Sequence, residues 1–140
     1  MNWNCGITIK YWTTSNDEIK NEIAAILFDL KDQTAVEDLV IALENDKYLS
    51  EKSTLVSVFW QSSLDSSEHI SSIVKQAITG NYIVGIEVLS VIDNYDATFQ
   101  ETEIEDLKFD LDEAIQNEVT EKRDLLISIR SAIDALNLEF

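Results

Sequence analysis

The sequence predicts an all-α fold of about seven helices arranged in antiparallel hairpins. Two observations carry that expectation. The chain has no proline and three glycines, Gly6, Gly80 and Gly85, so the residues that punctuate β-rich folds and long loops are nearly missing. Apolar residues also recur at intervals of three and four, in stripes separated by short polar breaks. At 140 residues a single domain spanning 1–140 is expected. A chain of this size buries about 68–70% of its unfolded surface, so a full core needs neither metal nor disulfide.

The elements follow in order. Residues 1–13 have a different texture: Ile7, Ile9 and Tyr11 alternate with polar neighbours, as in a short extended segment or a cap over the first helix, and this irregular segment stays unassigned. Ile19, Ile23, Ile26, Leu27 and Leu30 form the stripe of a first helix over about 16–31, with Ser15 and Glu18 spaced as a capping box. Thr34 and Glu37 repeat that box before Val36, Leu39, Val40 and Leu43, a second helix over about 34–45 that ends at the polar ENDK. Ser50 is placed to cap a third, largely buried helix carrying Leu55, Val56, Val58, Phe59 and Trp60. Asp65, Ser66 and Ser67 open a fourth, over 67–79, with Ile70, Ile73, Val74, Ala77 and Ile78; it stops at Gly80, a residue that accepts the left-handed conformation past a helix end. A fifth helix over 81–93 presents Ile83, Ile86, Leu89, Val91 and Ile92; strict alternation fails at Ile83-Val84 and Val88-Leu89, which favours helix over strand despite the β-branched content. After the connector DNYDATFQ come Ile104, Leu107, Leu111, Ala114 and Ile115, then Leu125, Leu126, Ile129, Ala132, Ile133 and Leu136, helices six and seven over about 101–118 and 120–137.

Beyond the cap and first helix at 1–33, the helices group as hairpins over 34–63, 66–93 and 101–137, whose starts lie 32 and 35 residues apart, the period of helical-hairpin arrays. The stretch VEDLVIALENDKYLSEKSTLVSVFW resembles HEAT-type repeats, with an apolar first helix, Asp46 at the turn and Lys52 as a cation early in the second helix. LDEAIQNEVTEKRDLLISIRSAIDAL is similar, with Asn117 at the turn and Arg123 as the cation; the middle copy keeps only Asn81. The resemblance covers about 34–137 and implies a short right-handed array that binds other proteins along a concave groove.

Charge sets the second constraint. The 27 acidic against 10 basic side chains give a net charge of -17, which disfavours nucleic acid and anionic membrane as partners and favours cationic ones. One cysteine, Cys5, cannot form an internal bridge, and MNWNCGITIKYW carries neither a charged leader nor an apolar run of signal-peptide length, so the expected location is cytoplasmic. Catalytic chemistry finds little material. The single histidine, His69, stands beside Glu68 and near Asp65, Ser66 and Ser67, but a triad is defined by geometry and not by neighbours in sequence. One histidine cannot supply paired Glu-x-x-His di-iron ligands. A calcium loop from Asp93 would meet Tyr95, Ala97, Thr98 and Ile104 where oxygen ligands, glycine and glutamate are required. No cofactor, metal site or catalytic residue is therefore expected.

What remains is an acidic stretch. Between Asp93 and Glu118 stand ten carboxylates and one cation, Lys108, for a local charge of -9. Glu101 with Glu105, and Asp106 with Asp110, are like-charge pairs one turn apart, each costing an isolated helix about 0.2–0.5 kcal/mol. Glu101, Glu103 and Glu105 are offset by the positive end of the helix macrodipole, whereas Asp110, Asp112 and Glu113 lie too far in. Two readings stand: a solvated face that maintains solubility, and a docking patch for a basic partner formed by Glu101, Glu103, Glu105, Asp106, Asp110, Asp112 and Glu113. The expected function is that of a non-catalytic protein–protein interaction module. Its apolar anchors would come from Trp3, Tyr11, Trp12, Tyr48, Tyr82, Tyr95 and Phe99. The alternative is an acidic immunity or antidote protein that covers the cationic site of a basic protein or nuclease with helix 101–118.

Overall fold

The structure, a computed structural model, describes residues 17–139, except for the side chain of Asp17. Readings that fall on residues 1–13, together with Ser15, Cys5, Trp3, Tyr11 and Trp12, lie outside the described residues. The fold is all-α. Seven α-helices run in the order α1 (Asp17–Phe28), α2 (Ala35–Leu43), α3 (Lys52–Gln61), α4 (Ile70–Thr79), α5 (Tyr82–Asp93), α6 (Glu101–Asn117) and α7 (Lys122–Asp134), with 3₁₀ turns at Asp46–Glu51 and Ser67–His69. Two three-residue strands, β1 (Thr98–Gln100) and β2 (Asn137–Glu139), complete the described chain. It divides into two compact units at Ser66 and Ser67.

In the first unit α1 and α2 pack against α3, around fully buried Leu27, Leu39, Leu43 and Leu55. The start of α2 departs from expectation. Thr34 makes no side-chain cap; its backbone N–H and its hydroxyl both donate to Asp32 Oδ1, at 3.0 and 2.8 Å. An Asx-type turn from Asp32 thus replaces the expected Thr34–Glu37 box, because a carboxylate two residues back accepts both donors at once. Those bonds hold the Asp32 carboxyl below the usual carboxylate range. The 3₁₀ turn ahead of α3 is likewise opened by Asn45, whose side chain accepts from Lys47 N at 3.0 Å, and this turn occupies the place where Ser50 was expected to cap. At the end of the unit the Gln33 amide brackets the backbone of Asp65: Oε1 accepts its N–H at 3.0 Å and Nε2 donates to its carbonyl.

In the second unit α4 pairs with α5 and α6 with α7, while α4 also packs on α6 and α5 on α7. Ile70, Ile73, Ile92, Ile104, Leu111, Leu126 and Ile129 are among its fully buried side chains. Two corrections concern α5. Gly80 is extended (φ −88°, ψ −176°), not left-handed; a side chain there is excluded by space, since a Cβ would lie 2.5 Å from the Gln76 carbonyl oxygen. The buried face of α5 consists of Val84, Gly85, Val88, Val91 and Ile92, whereas the expected stripe residues Ile83 and Ile86 are 60% and 42% exposed. Gly85 lies on that buried face, and without a side chain it lets α7 approach until Leu125 Cδ2 stands 2.7 Å from where a Cβ would be.

The strand pair was not anticipated. β1 and β2 run parallel, in the register Thr98↔Asn137, Phe99↔Leu138 and Gln100↔Glu139, with Gln100 Nε2 donating to Glu139 Oε2 at 2.8 Å. Helices α6 and α7 carry the chain out and back between the two strands, so both strands run in one direction at the same end of that hairpin. Phe99 is buried and takes the ring of Tyr95 edge-on, with centroids 5.5 Å apart.

Candidate functional site

Helix α6 carries all seven of the carboxylates singled out above. Its inward stripe is Ile104, Leu107 and Leu111, spaced by three and four, and the remaining phases are left to charge. Helical phase then divides the seven into groups with different surroundings. Glu101 and Glu103 occupy the first turn, where unpaired backbone N–H groups favour negative charge.

Glu105 and Asp112 lie on the side facing α7 and are engaged there. Lys108 Nζ is 2.7 Å from Asp134 and 3.3 Å from Glu105; Arg130 Nε is 3.0 Å from Asp112, and its Nη1 is 3.9 Å from Asp134. The hydrogen bond from Lys108 holds the Asp134 carboxyl below its ordinary value, and the same contact raises the Lys108 ammonium. The Lys108–Asp134 and Arg130–Asp112 pairs tie α6 to α7, while Lys108–Glu105 and Arg130–Asp134 lie within one helix each.

Asp106, Asp110 and Glu113 occupy a third phase. They lie along a groove between α4 and α6 with a volume of about 560 Å³. Val74 and Ile78 from α4, with Leu107 and Ala114 from α6, supply its apolar surface. Ser71, Lys75 and Asn117 complete the lining. All three carboxylate residues are exposed, and among the described residues none of their side chains has a hydrogen bond or ion pair. Three carboxylates against Lys75 give the groove a formal charge of -2. An apolar floor with an acidic wall is suited to a ligand that is both cationic and apolar.

One end of this unit is held by Lys122. Its Nζ donates to the carbonyl oxygens of Ile78 and Gly80, at 2.6 and 2.7 Å, and so satisfies acceptors at the C-terminal end of α4 from the first turn of α7. Burial lowers the Lys122 ammonium below its usual value, with Glu118 opposing. The neighbouring Arg123 donates Nε–H to the Ile115 carbonyl, 3.1 Å away in the last turn of α6. Asn81 caps α5 by accepting from Val84 N at 3.0 Å.

Other expected features fall elsewhere. His69 closes the 3₁₀ turn ahead of α4 and is half-buried. Among the described residues no group of three or more His, Cys, Asp or Glu side chains is placed to hold a metal ion. Of the aromatic residues proposed as anchors, Tyr48 and Phe99 are buried in the core, Tyr95 is half-buried and Tyr82 is exposed. Trp60, placed in the buried stripe of the third helix, is 38% exposed, and Phe109, singled out by nothing in the sequence reading, is 69% exposed. Phe109 could have been found: it lies two residues from Leu107 and Leu111, between Lys108 and Asp110, outside the inward stripe. The groove itself could not, since it requires α4 and α6, separated in sequence by α5, to be neighbours. No helix among the described residues is long and apolar enough to cross a membrane. No family model, no curated protein and no solved structure matches the chain.

Proposed function

We propose that the protein is a non-catalytic interaction module that binds another, basic protein through the groove between α4 and α6. The observation that carries this reading is the combination of an apolar floor with three carboxylates, Asp106, Asp110 and Glu113, that have no partner among the described residues. Folded chains usually leave surface charge scattered or paired; here Asp112 pairs across to α7, while Asp106, Asp110 and Glu113 cluster along the groove. Clustered charge of one sign accelerates encounter and orients approach, and the apolar floor would then provide the desolvated contact.

A HEAT-like organisation is part of the proposal. It is supported by the way like stacks on like in the second unit, first helix α4 on first helix α6 and second helix α5 on second helix α7, and by Arg123 reaching back to the preceding helix. We place the protein in the cytoplasm because its one cysteine allows no internal bridge. A second reading, an antidote that covers the cationic site of a basic protein or nuclease with α6, draws on the exposure of the same three carboxylates.

The test is affinity capture with the full chain and with Asp106→Lys/Asp110→Lys, washed at low salt and at about 0.5 M, where the Debye length is a few ångströms. A partner bound by the wild type and lost from the variant places binding at the groove. Retention in the salty wash favours the apolar floor as anchor, and loss favours the antidote reading. A partner held equally by wild type and variant rules out both.

A further inference from the structure

We infer that the occupant of the α4–α6 groove is a single amphipathic helix carrying lysine or arginine at i, i+4 and i+7, an inference that rests on the interaction reading above. The spacing of the wall decides the form of the ligand. Along α6, at 1.5 Å per residue, Asp106, Asp110 and Glu113 sit at 0, about 6 and about 10.5 Å. A second helix lying alongside and parallel to α6 repeats those intervals with residues i, i+4 and i+7. An extended segment presents alternate side chains every ~6.7 Å, so its third cation would fall near 13 Å and miss Glu113 by roughly 3 Å.

Backbone chemistry favours the same form. Both walls are helices whose peptide groups are bonded within themselves, so an extended ligand would find no ladder to join and would bury unpaired N–H and C=O groups. A helix brings its own bonds. The groove runs from Asp106 to Asn117, about 16 Å of α6 or three turns, so a ligand of roughly 11–15 residues spans it. Lys75 on the opposite wall sets the remaining preference: the ligand's cations face α6, and on the α4 side an acidic or amide side chain is preferred to a further cation.

The experiment titrates the full chain with three fluorescent 15-residue alanine-based peptides of identical composition, read by anisotropy at about 50 mM and 300 mM salt. The first carries lysines at i, i+4 and i+7 beside leucines at i+1, i+5 and i+8. The second has those residues redistributed at alternate positions, and the third spreads them around the helix. The expected result is at least about tenfold tighter binding of the first, a gain in helical circular dichroism on binding, and loss of at least tenfold in Asp106→Asn/Asp110→Asn/Glu113→Gln. Equal binding of all three peptides, with sensitivity to the triple variant, would overturn the helical ligand while leaving the cationic groove standing. If no peptide binds, or if binding survives the triple variant unchanged, the groove reading falls with it.

Discussion

The Lys122 contact yields a prediction whose size can be worked from the geometry. Lys122→Met keeps the apolar stem and removes two charge-assisted hydrogen bonds, to the Ile78 and Gly80 carbonyls. Such bonds contribute about 1.5–3 kcal/mol each when well shielded. Lys122 is only half-buried, so water can re-form part of the interaction after the change, and the expected loss for the pair together is about 2 kcal/mol. For a chain of this length that corresponds to a fall in Tm of roughly 6–8 °C. The assay is urea unfolding followed by far-ultraviolet circular dichroism, with an unchanged m-value showing that the denatured ensemble is not what moved. Lys75→Met serves as the control. Lys75 is exposed and has no such bonds, so its replacement should stay within about 0.5 kcal/mol of wild type. If Lys122→Met is no more destabilising than Lys75→Met, the proposed tie between α7 and the end of α4 contributes nothing and the reasoning fails.

Three further outcomes are expected. Gly80→Ala should cost about 1–3 kcal/mol, because its Cβ meets a backbone oxygen that cannot yield, whereas Gly85→Ala meets only the tip of Leu125 and regains about 1 kcal/mol of helix propensity; denaturation midpoints in the opposite order would refute this account of α5. Asp106→Lys/Asp110→Lys should leave stability unchanged or raise it by up to about 0.5 kcal/mol by relieving like-charge repulsion, while Asp112→Lys should lower it by up to about 1 kcal/mol through loss of the Arg130 pair; equal effects on the midpoint would show that the division of α6 into groove and α7 faces is wrong. Asp134, whose carboxyl is depressed by Lys108, contributes stability that is present above its ordinary value of 3.8 and is lost as pH falls through its lower folded value. Asp134→Asn should therefore flatten the acid limb of the stability–pH curve below about pH 4, and an identical limb in wild type and variant would count against the contact.

The helices themselves were legible because their determinants are local. The recurrence of Ile70, Ile73, Val74 and Ala77, and of Ile104, Leu107 and Leu111, defines an inward face from intervals within one segment, and these residues are buried as that rule requires. The breaks at ENDK and at Gly80-Asn81 were visible for the same reason. Start signals were less dependable, since Asp32 takes the Thr34 hydroxyl as a donor and so turns it away from the cap its position in the sequence suggests. Three-residue strands carry too little periodicity to register. The pairing of Phe99 with Leu138 joins segments 39 residues apart and exists only because α6 and α7 bring the chain back.

The same division governs the candidate site. The sequence by itself determined that α6 would be an acidic helix with one apolar stripe, since composition and spacing within seventeen residues suffice for that. Which carboxylates are spent was decided by the tertiary structure. Arg130 engages Asp112, and Lys108 engages Asp134, because α7 lies on one side of α6, and Asp106, Asp110 and Glu113 line a groove because α4 lies on another. Likewise the apolar content of α5 was set by its sequence, but which of its apolar residues are buried was set by packing, and the missing side chain of Gly85 matters only once Leu125 is pressed against it. Periodicity within a segment specifies a helix and its apolar face; what each remaining side chain meets depends on neighbours that the fold brings from elsewhere in the chain.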